Sequence, residues 1–187
     1  MATSYNNISN VYSLQGDNEN ALLQHQESLE IRIQVLGCES AEVTTSYNHI
    51  RTVYESQGDN ENALFQHKKS LEINLRVYGH QHPHAAGSYH NIGNGYHEQG
   101  KGEEELDQYT KSLEIKIRVY GQDHPSVADS KYYIGLHYEK RNEMDMAREL
   151  FLECQRIFCK VYGPGHSQTV DAVNAVQRTS RCAEESV

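Results

Sequence analysis

The chain has no Trp, only 3 Phe and 3 Pro in 187 residues, and no uninterrupted apolar run of any length. No stretch approaches the roughly 20 apolar residues of a membrane span, so no membrane partner is expected. The first residues, MATSYNNISNVYSLQG, show neither the basic start nor the apolar stretch of a secretory signal. The 4 cysteines, Cys38, Cys154, Cys159 and Cys182, follow no CxxC spacing and no regular framework. They read as free thiols of a reducing compartment, Cys154 and Cys159 on different faces of one helix. A soluble protein of the cytoplasm is the expectation, and the sequon Asn7-Ile8-Ser9 then reads as chance. Basic residues are also scarce: 17 Lys and Arg stand against 26 Asp and Glu, a net charge of −9. A field of that sign repels phosphate backbones, which argues against a nucleic-acid partner.

Tyrosine is abundant, at 13 residues, while hydrophobic residues make up 37% of the chain. Its ring packs and its hydroxyl reaches water, which suits an elongated fold with much surface per residue.

Self-similarity appears at a spacing of 42 residues. Gly16, Gly58, Gly100 and Asn142 align, as do Tyr12, Tyr54, Tyr96 and Tyr138, and Ile8, Ile50, Ile92 and Ile134. Gly37, Gly79, Gly121 and Gly163 close each unit. The strings SLEIRIQVLG, SLEINLRVYG and SLEIKIRVYG recur, and CQRIFCKVYG is a weaker fourth copy. Within a unit, Tyr47, Ile50, Arg51 and Tyr54 follow the i, i+3, i+4, i+7 spacing of one helix face. Gly58-Asp59 then supplies a left-handed residue and an N-cap, as Gly16-Asp17 does before it. The second helix of the repeat spans roughly 28 Å at 1.5 Å per residue. It ends at Gly79, and the following His82-Pro83 and its counterpart His124-Pro125 begin the links between hairpins.

These signals predict an all-α single domain over residues 1–187. Four hairpins fall near 1–37, 41–79, 84–121 and 126–163, with a capping helix near 167–182. Val170, Val173 and Val176 are expected to cover the open end of the fourth hairpin. The first helix has no comparable cover.

The series Tyr5, Ile8-Ser9, Tyr12, Gly16, Ala21, His25 and Ser28 resembles the tetratricopeptide repeat signature. Repeat two matches it through Tyr47, Ile50, Tyr54, Gly58, Ala63 and Ser70, and repeat three through Tyr89, Ile92, Gly93, Tyr96, Gly100, Tyr109 and Ser112. Ile134, Gly135, Tyr138, Ala147 and Phe151 carry it in repeat four. The period of 42 and the yGxxHP link are similar to the kinesin-light-chain and nephrocystin-3-like subtype. The resemblance implies a right-handed α-α superhelix, its concave wall made of first helices, and protein or peptide binding without catalysis. Two residues depart from the pattern. Arg51 stands where Ser9, Gly93 and Gly135 are small, and Glu105 replaces the Ala of positions 21, 63 and 147. A buried lone charge is costly, so each is expected to reach solvent or find a partner. Gly93, Gly95, Gly100 and Gly102 lower helix propensity, making repeat three the expected flexible hairpin. No heptad pattern of coiled-coil length is present.

By the family's offset, the groove residues are Asn6, Asn10 and Ser13 in repeat one and Asn48, Thr52 and Glu55 in repeat two. Repeat three contributes His90, Asn94 and His97, and repeat four Tyr132, Leu136 and Glu139. Asparagines can both donate to and accept from a peptide main chain. The set holds no Lys or Arg, with Lys140 only at its margin, so a neutral or basic peptide is favoured over an acidic one. Histidines suggest a metal at first sight, above all His80, His82 and His84, but no Cys or carboxylate completes a tetrahedral site. HEQGK at His97 lacks the second His of a zinc helix, and GNGYHEQG is not a dinucleotide loop. No cofactor is expected. Two other readings compete with the adaptor: self-assembly through the uncovered first helix, and a sensing array belonging to a larger signalling protein.

Overall fold

The computed structural model describes residues 2–184, and the side chains among them apart from Asn6, Asn10 and residues 181–184. Among the described residues there are nine helices and no strand. They are α1 (Ala2–Leu14), α2 (Asn18–Leu36), α3 (Ala41–Ser56), α4 (Asn60–Tyr78) and α5 (Pro83–Glu98), followed by α6 (Gly102–Tyr120), α7 (Pro125–Lys140), α8 (Met144–Tyr162) and α9 (Ser167–Glu184). Two compact units divide the chain, residues 1–101 with α1 to α5 and residues 102–187 with α6 to α9. Within each, every helix packs on the next in sequence.

The turn chemistry follows the repeat. Gly16, Gly58 and Gly100 hold φ of 76°, 74° and 69°, and Asn142 holds 63° at the fourth turn. Asn is among the few non-Gly residues that tolerate this left-handed region, so chemistry preserves the turn where identity is lost. The carboxylates of Asp17 and Asp59 accept from the backbone N–H of Asn20 and Asn62 at 3.2 and 3.1 Å. Glu143, one methylene longer, makes no such cap.

Histidines start the later hairpins. The side chains of His82, His124 and His166 accept from the N–H two residues ahead at 3.2, 3.1 and 3.4 Å. Each ring also stacks on the tyrosine that ends the preceding helix, at 4.6 Å for Tyr78, 4.5 Å for Tyr120 and 4.4 Å for Tyr162. Ser40 caps α3 in their place. The histidines of GHQHPH thus do local structural work: His82 and His84 pack together against Tyr78.

Between the helices of a hairpin, residue size is matched across a spacing of 16. Ser9 is bonded to the buried His25 at 2.9 Å, while Gly135 faces Phe151. A Cβ at Gly135 would lie 2.7 Å from Phe151 Cε1, so the ring excludes any larger residue there. Both expected compensations are present. Arg51 pairs with Glu55 at 2.6 Å, and the buried Glu105 lies 3.6 Å from the equally buried His137.

The capping helix corrects one expectation. Val170 is 43% exposed and Val173 half-buried, while Val176, also half-buried, does pack against the Ala147, Phe151 and Ala175 cluster. The fully covered row of α9 is Thr169, Ala172, Ala175 and Thr179. Phe151 and Phe158 already fill the space beside α9, forming clusters with Ala175 and Ala172, so only small side chains fit there. Cys154 is buried with its thiol donating to the Ala128 carbonyl at 3.1 Å, and burial pushes that thiol up to about 12. Cys38 and Cys159 are exposed, and Cys182 lies outside the described side chains.

Candidate interaction clefts

In residues 1–101, α3 and α5 form the walls of a cleft and α4 its floor. Thr44 and Asn48 stand on one wall and Asn91 on the other, above His67, Ser70 and Asn74, in a volume of about 310 Å³. A second cleft of about 290 Å³ shares His67 and is edged by Glu55, Asn94 and Glu98 over Ala63 and Leu64. The helical period puts His67, Ser70 and Asn74 on one stripe of α4, three and four residues apart. All three are buried.

Their hydrogen bonding is incomplete. Asn74 donates to Ser88 Oγ at 2.9 Å. Among the described residues, His67 and Ser70 make no hydrogen bond, to each other or elsewhere. His67 approaches only Glu55, with Nε2 3.8 Å from a carboxylate oxygen that Arg51 already holds. Burial, and then the Arg51 charge, push the His67 imidazole down to about 3, so near neutral pH it is an uncharged donor and acceptor. A serine without a hydrogen-bonded base is not an activated nucleophile.

In residues 102–187, α7 and α9 wall a cleft at the equivalent place, over α8. It measures about 170 Å³ and is lined by Asp129, Tyr132, Tyr133, Phe158, Gln168 and Asp171. Gln168 donates to Asp129 at 2.7 Å. Burial raises the Asp129 carboxyl while Lys116 and His124 oppose that shift.

The expected groove residues fall into four groups. Asn48, Glu55, Asn94 and Tyr132 line these clefts. Ser13, Thr52 and His97 are exposed and His90 half-buried, none of them lining a described cleft, and Thr52 donates to the Asn48 carbonyl. Leu136 packs into the cluster of Ala147, Phe151 and Ala175, and Glu139 is tied to Arg178 by two bonds of 3.0 Å. The side chains of Asn6 and Asn10 lie outside the described residues.

The floors were not anticipated, although the repeat carries a signal for them. Positions 32, 74 and 116 are Arg, Asn and Lys, and each donates to a serine 14 residues on. Arg32 reaches Ser46 at 2.7 Å, Asn74 reaches Ser88 at 2.9 Å and Lys116 reaches Ser130 at 2.8 Å. The fourth copy replaces the polar bridge by Phe158 against Ala172. A polar column recurring in a second helix marks the wall between hairpins, where buried polar groups need partners.

This architecture of repeated hairpins agrees with the sequence profile of the tetratricopeptide repeat, which matches residues 1–75 and 45–118. The chain belongs to the tetratricopeptide repeat family. Solved tetratricopeptide structures share its fold. The nearly identical repeats of a putative kinesin light chain from Podosopora anserina superpose with a TM-score of 0.77 at 17% identity. That alignment covers 98% of this chain and 87% of the other. BtubC from P. vanneervenii gives 0.75 at 18% identity over 95% of this chain and 74% of its own. The apo form of RapI gives 0.79 at 17% identity over 98% and 64%. No curated protein matches in sequence. The repeats are therefore tetratricopeptide repeats, a scaffold fold used for protein interaction. Among the described residues no helix is long and apolar enough to cross a membrane.

Proposed function

We propose that the chain is a non-catalytic adaptor that holds a peptide or protein segment against its first helices. The observation that carries this reading is the cleft between α3 and α5, where His67 and Ser70 are buried yet keep hydrogen-bonding capacity. Their polar atoms open on the cleft, where a peptide main chain with alternating N–H and C=O would pair them. Glu55 and Glu98 edge one cleft, and Asp129 and Asp171 line the other. A neutral or basic segment fits such walls better than an acidic one.

Labelled 12-residue peptides of acidic, neutral and basic composition, titrated at two salt concentrations, test the reading. Basic and neutral peptides are expected to bind, and Asn48→Ala with Asn91→Ala and Asn94→Ala to weaken them at least tenfold. Equal binding by wild type and variant would refute the cleft, and tightest binding of the acidic set would refute the charge argument.

A second reading, self-association through α1, has its own support. Ile8 is 46% and Val11 53% exposed, whereas the matching Ile50 and Val53 are 2% and 3% exposed beneath α2. Light scattering against concentration is expected to show an oligomer that Ile8→Lys with Val11→Lys abolishes while the helical spectrum persists. A mass fixed at one chain over the whole range excludes it.

A further inference from the structure

The cleft walled by α7 and α9 differs chemically from its counterpart walled by α3 and α5. Where the earlier repeat has Thr45, Asn48, His49, Asn74 and Gly87, the later one has Asp129, Tyr132, Tyr133, Phe158 and Asp171. Four of the repeat's columns change, one of them in two successive copies, and all five residues meet at one place. Three aromatic rings and two carboxylates replace two amides, an imidazole and two small residues.

The geometry of that place is that of a cage. Tyr132 and Tyr133 stand edge to face with centroids 6.4 Å apart, and Phe158, 2% exposed, forms the floor. A ring face carries negative charge density and attracts a cation within about 6 Å of its centroid. The two carboxylates add a formal charge of the same sign. The charged groups already present offset one carboxylate and leave the other unbalanced. Lys116 lies against Asp129 but gives its hydrogen bond to Ser130 at 2.8 Å, and His124 is the other base beside Asp129. Arg178 reaches the Tyr132 hydroxyl, yet its guanidinium is held by Glu139 through two bonds. Among the described residues Asp171 makes no salt bridge. The volume of about 170 Å³ admits one side chain and no more.

We infer that this cleft is a subsite for an alkylammonium group, supplied by a lysine side chain of the bound segment. The stem lies along the Tyr132 and Tyr133 rings and the ammonium meets Asp171 at the rim and Asp129 within. The inference rests on the adaptor reading and deepens it, since it gives the segment a required residue at a stated place. It is confined to residues 102–187, while the Asn48, Asn91 and Asn94 test concerns residues 1–101.

The test uses the full chain with ¹³C-labelled tyrosine and four small probes. These are N-acetyl-lysine N-methylamide, its Nε-trimethyl form, its Nε-acetyl form and N-acetyl-norleucine N-methylamide. The two cations are expected to shift the Tyr132 and Tyr133 ring signals saturably, with ring-current shifts on their own Nε-side protons. The uncharged pair should bind at least tenfold more weakly. Asp171→Asn, an exposed position that leaves the fold intact, should weaken the cations about fivefold or more, and Tyr132→Asn, patterned on Asn48, should remove them. Equal response to lysine and Nε-acetyl-lysine, or indifference to Asp171→Asn, overturns the cage. Failure here with peptides still lost on the Asn48, Asn91 and Asn94 variant leaves the adaptor reading standing. Saturation here with no peptide bound anywhere would sink the adaptor reading and keep the cage.

Discussion

Lowering the pH from 7 to 5 is expected to open α2 to α4 while the helices of residues 102–187 stay protected. Two buried histidines are responsible. His25 is 3% exposed and pushed down to about 4, by burial first and then by His49 and Arg32; His67 is 4% exposed and pushed down to about 3, by burial and then by Arg51. Ser9 from α1 bonds His25, and Glu55 from α3 approaches His67 at 3.8 Å. His49, whose ring is 5.1 Å from that of His25, is lowered for the same reason. For a base whose folded value is depressed, the unfolded chain takes up its proton first. Stability is therefore whole above pH 6.5, is lost as the pH falls through that value, and goes on falling towards the folded values. Each histidine should cost about 1–2 kcal/mol at pH 5, allowing for solvent screening. The same column holds Tyr109 and Phe151 later in the chain, where there is no proton to gain. Hydrogen exchange followed by mass spectrometry, corrected for the intrinsic rate, reads the two units separately. Ser9→Gly with His25→Phe, patterned on the Gly135 and Phe151 pair, should move the acid transition of the first unit down by about half a pH unit or more. An unmoved transition, or both units opening together, would show that these imidazoles do not set it.

The fold was legible because repetition averages out the ambiguity of any one segment. A helix boundary read at Gly58 is weak alone, yet with Gly16, Gly100 and Asn142 in register the same left-handed turn is found at all four places. What the period could not supply was the size of the neighbour. Val170 looked like a buried residue because it is apolar and correctly spaced. The phenylalanines of α8 decide otherwise, for they press against α9 and leave room only for Ala172 and Ala175. The same limit explains the candidate residues of repeat four. Tyr132, Leu136 and Glu139 share a face of α7, since three and four residues separate them. One lines a cleft, one packs into the core and one is tied to Arg178, and each fate depends on residues of α8 or α9. The polar bridges from positions 32, 74 and 116 were visible as a column, but their meaning needed the serine on the adjoining helix. Departures from the repeat proved more informative about chemistry than the repeat itself. The cage of α7 to α9 is assembled wholly from them.

Glu105 is the departure whose removal should be felt most, and its partner shows why. Its side chain and that of His137 are each 4% exposed, with the carboxylate 3.6 Å from the imidazole Nδ1. Position 137 is tightly held as well, because a Cβ at Gly102 would already stand 3.2 Å from its ring. Two repeats earlier the matching residues are Ala21 and Val53, at 0% and 3% exposure, an apolar solution at the same two places. His137→Val alone takes the imidazole from a carboxylate that remains buried, and truncating one member of such a pair costs about 3–5 kcal/mol. Glu105→Ala alone takes this partner from a buried imidazole, so about 1–3 kcal/mol is expected. Making both changes restores the arrangement of Ala21 and Val53, and replacing a buried pair by packed apolar groups is often neutral or stabilising. The double variant should therefore lie within about 1 kcal/mol of the wild type, a coupling larger than that between distant sites. Urea unfolding of the four proteins at pH 7 measures it. Additive losses would mean that the two side chains are buried independently, and that packing alone holds α6 and α7 together.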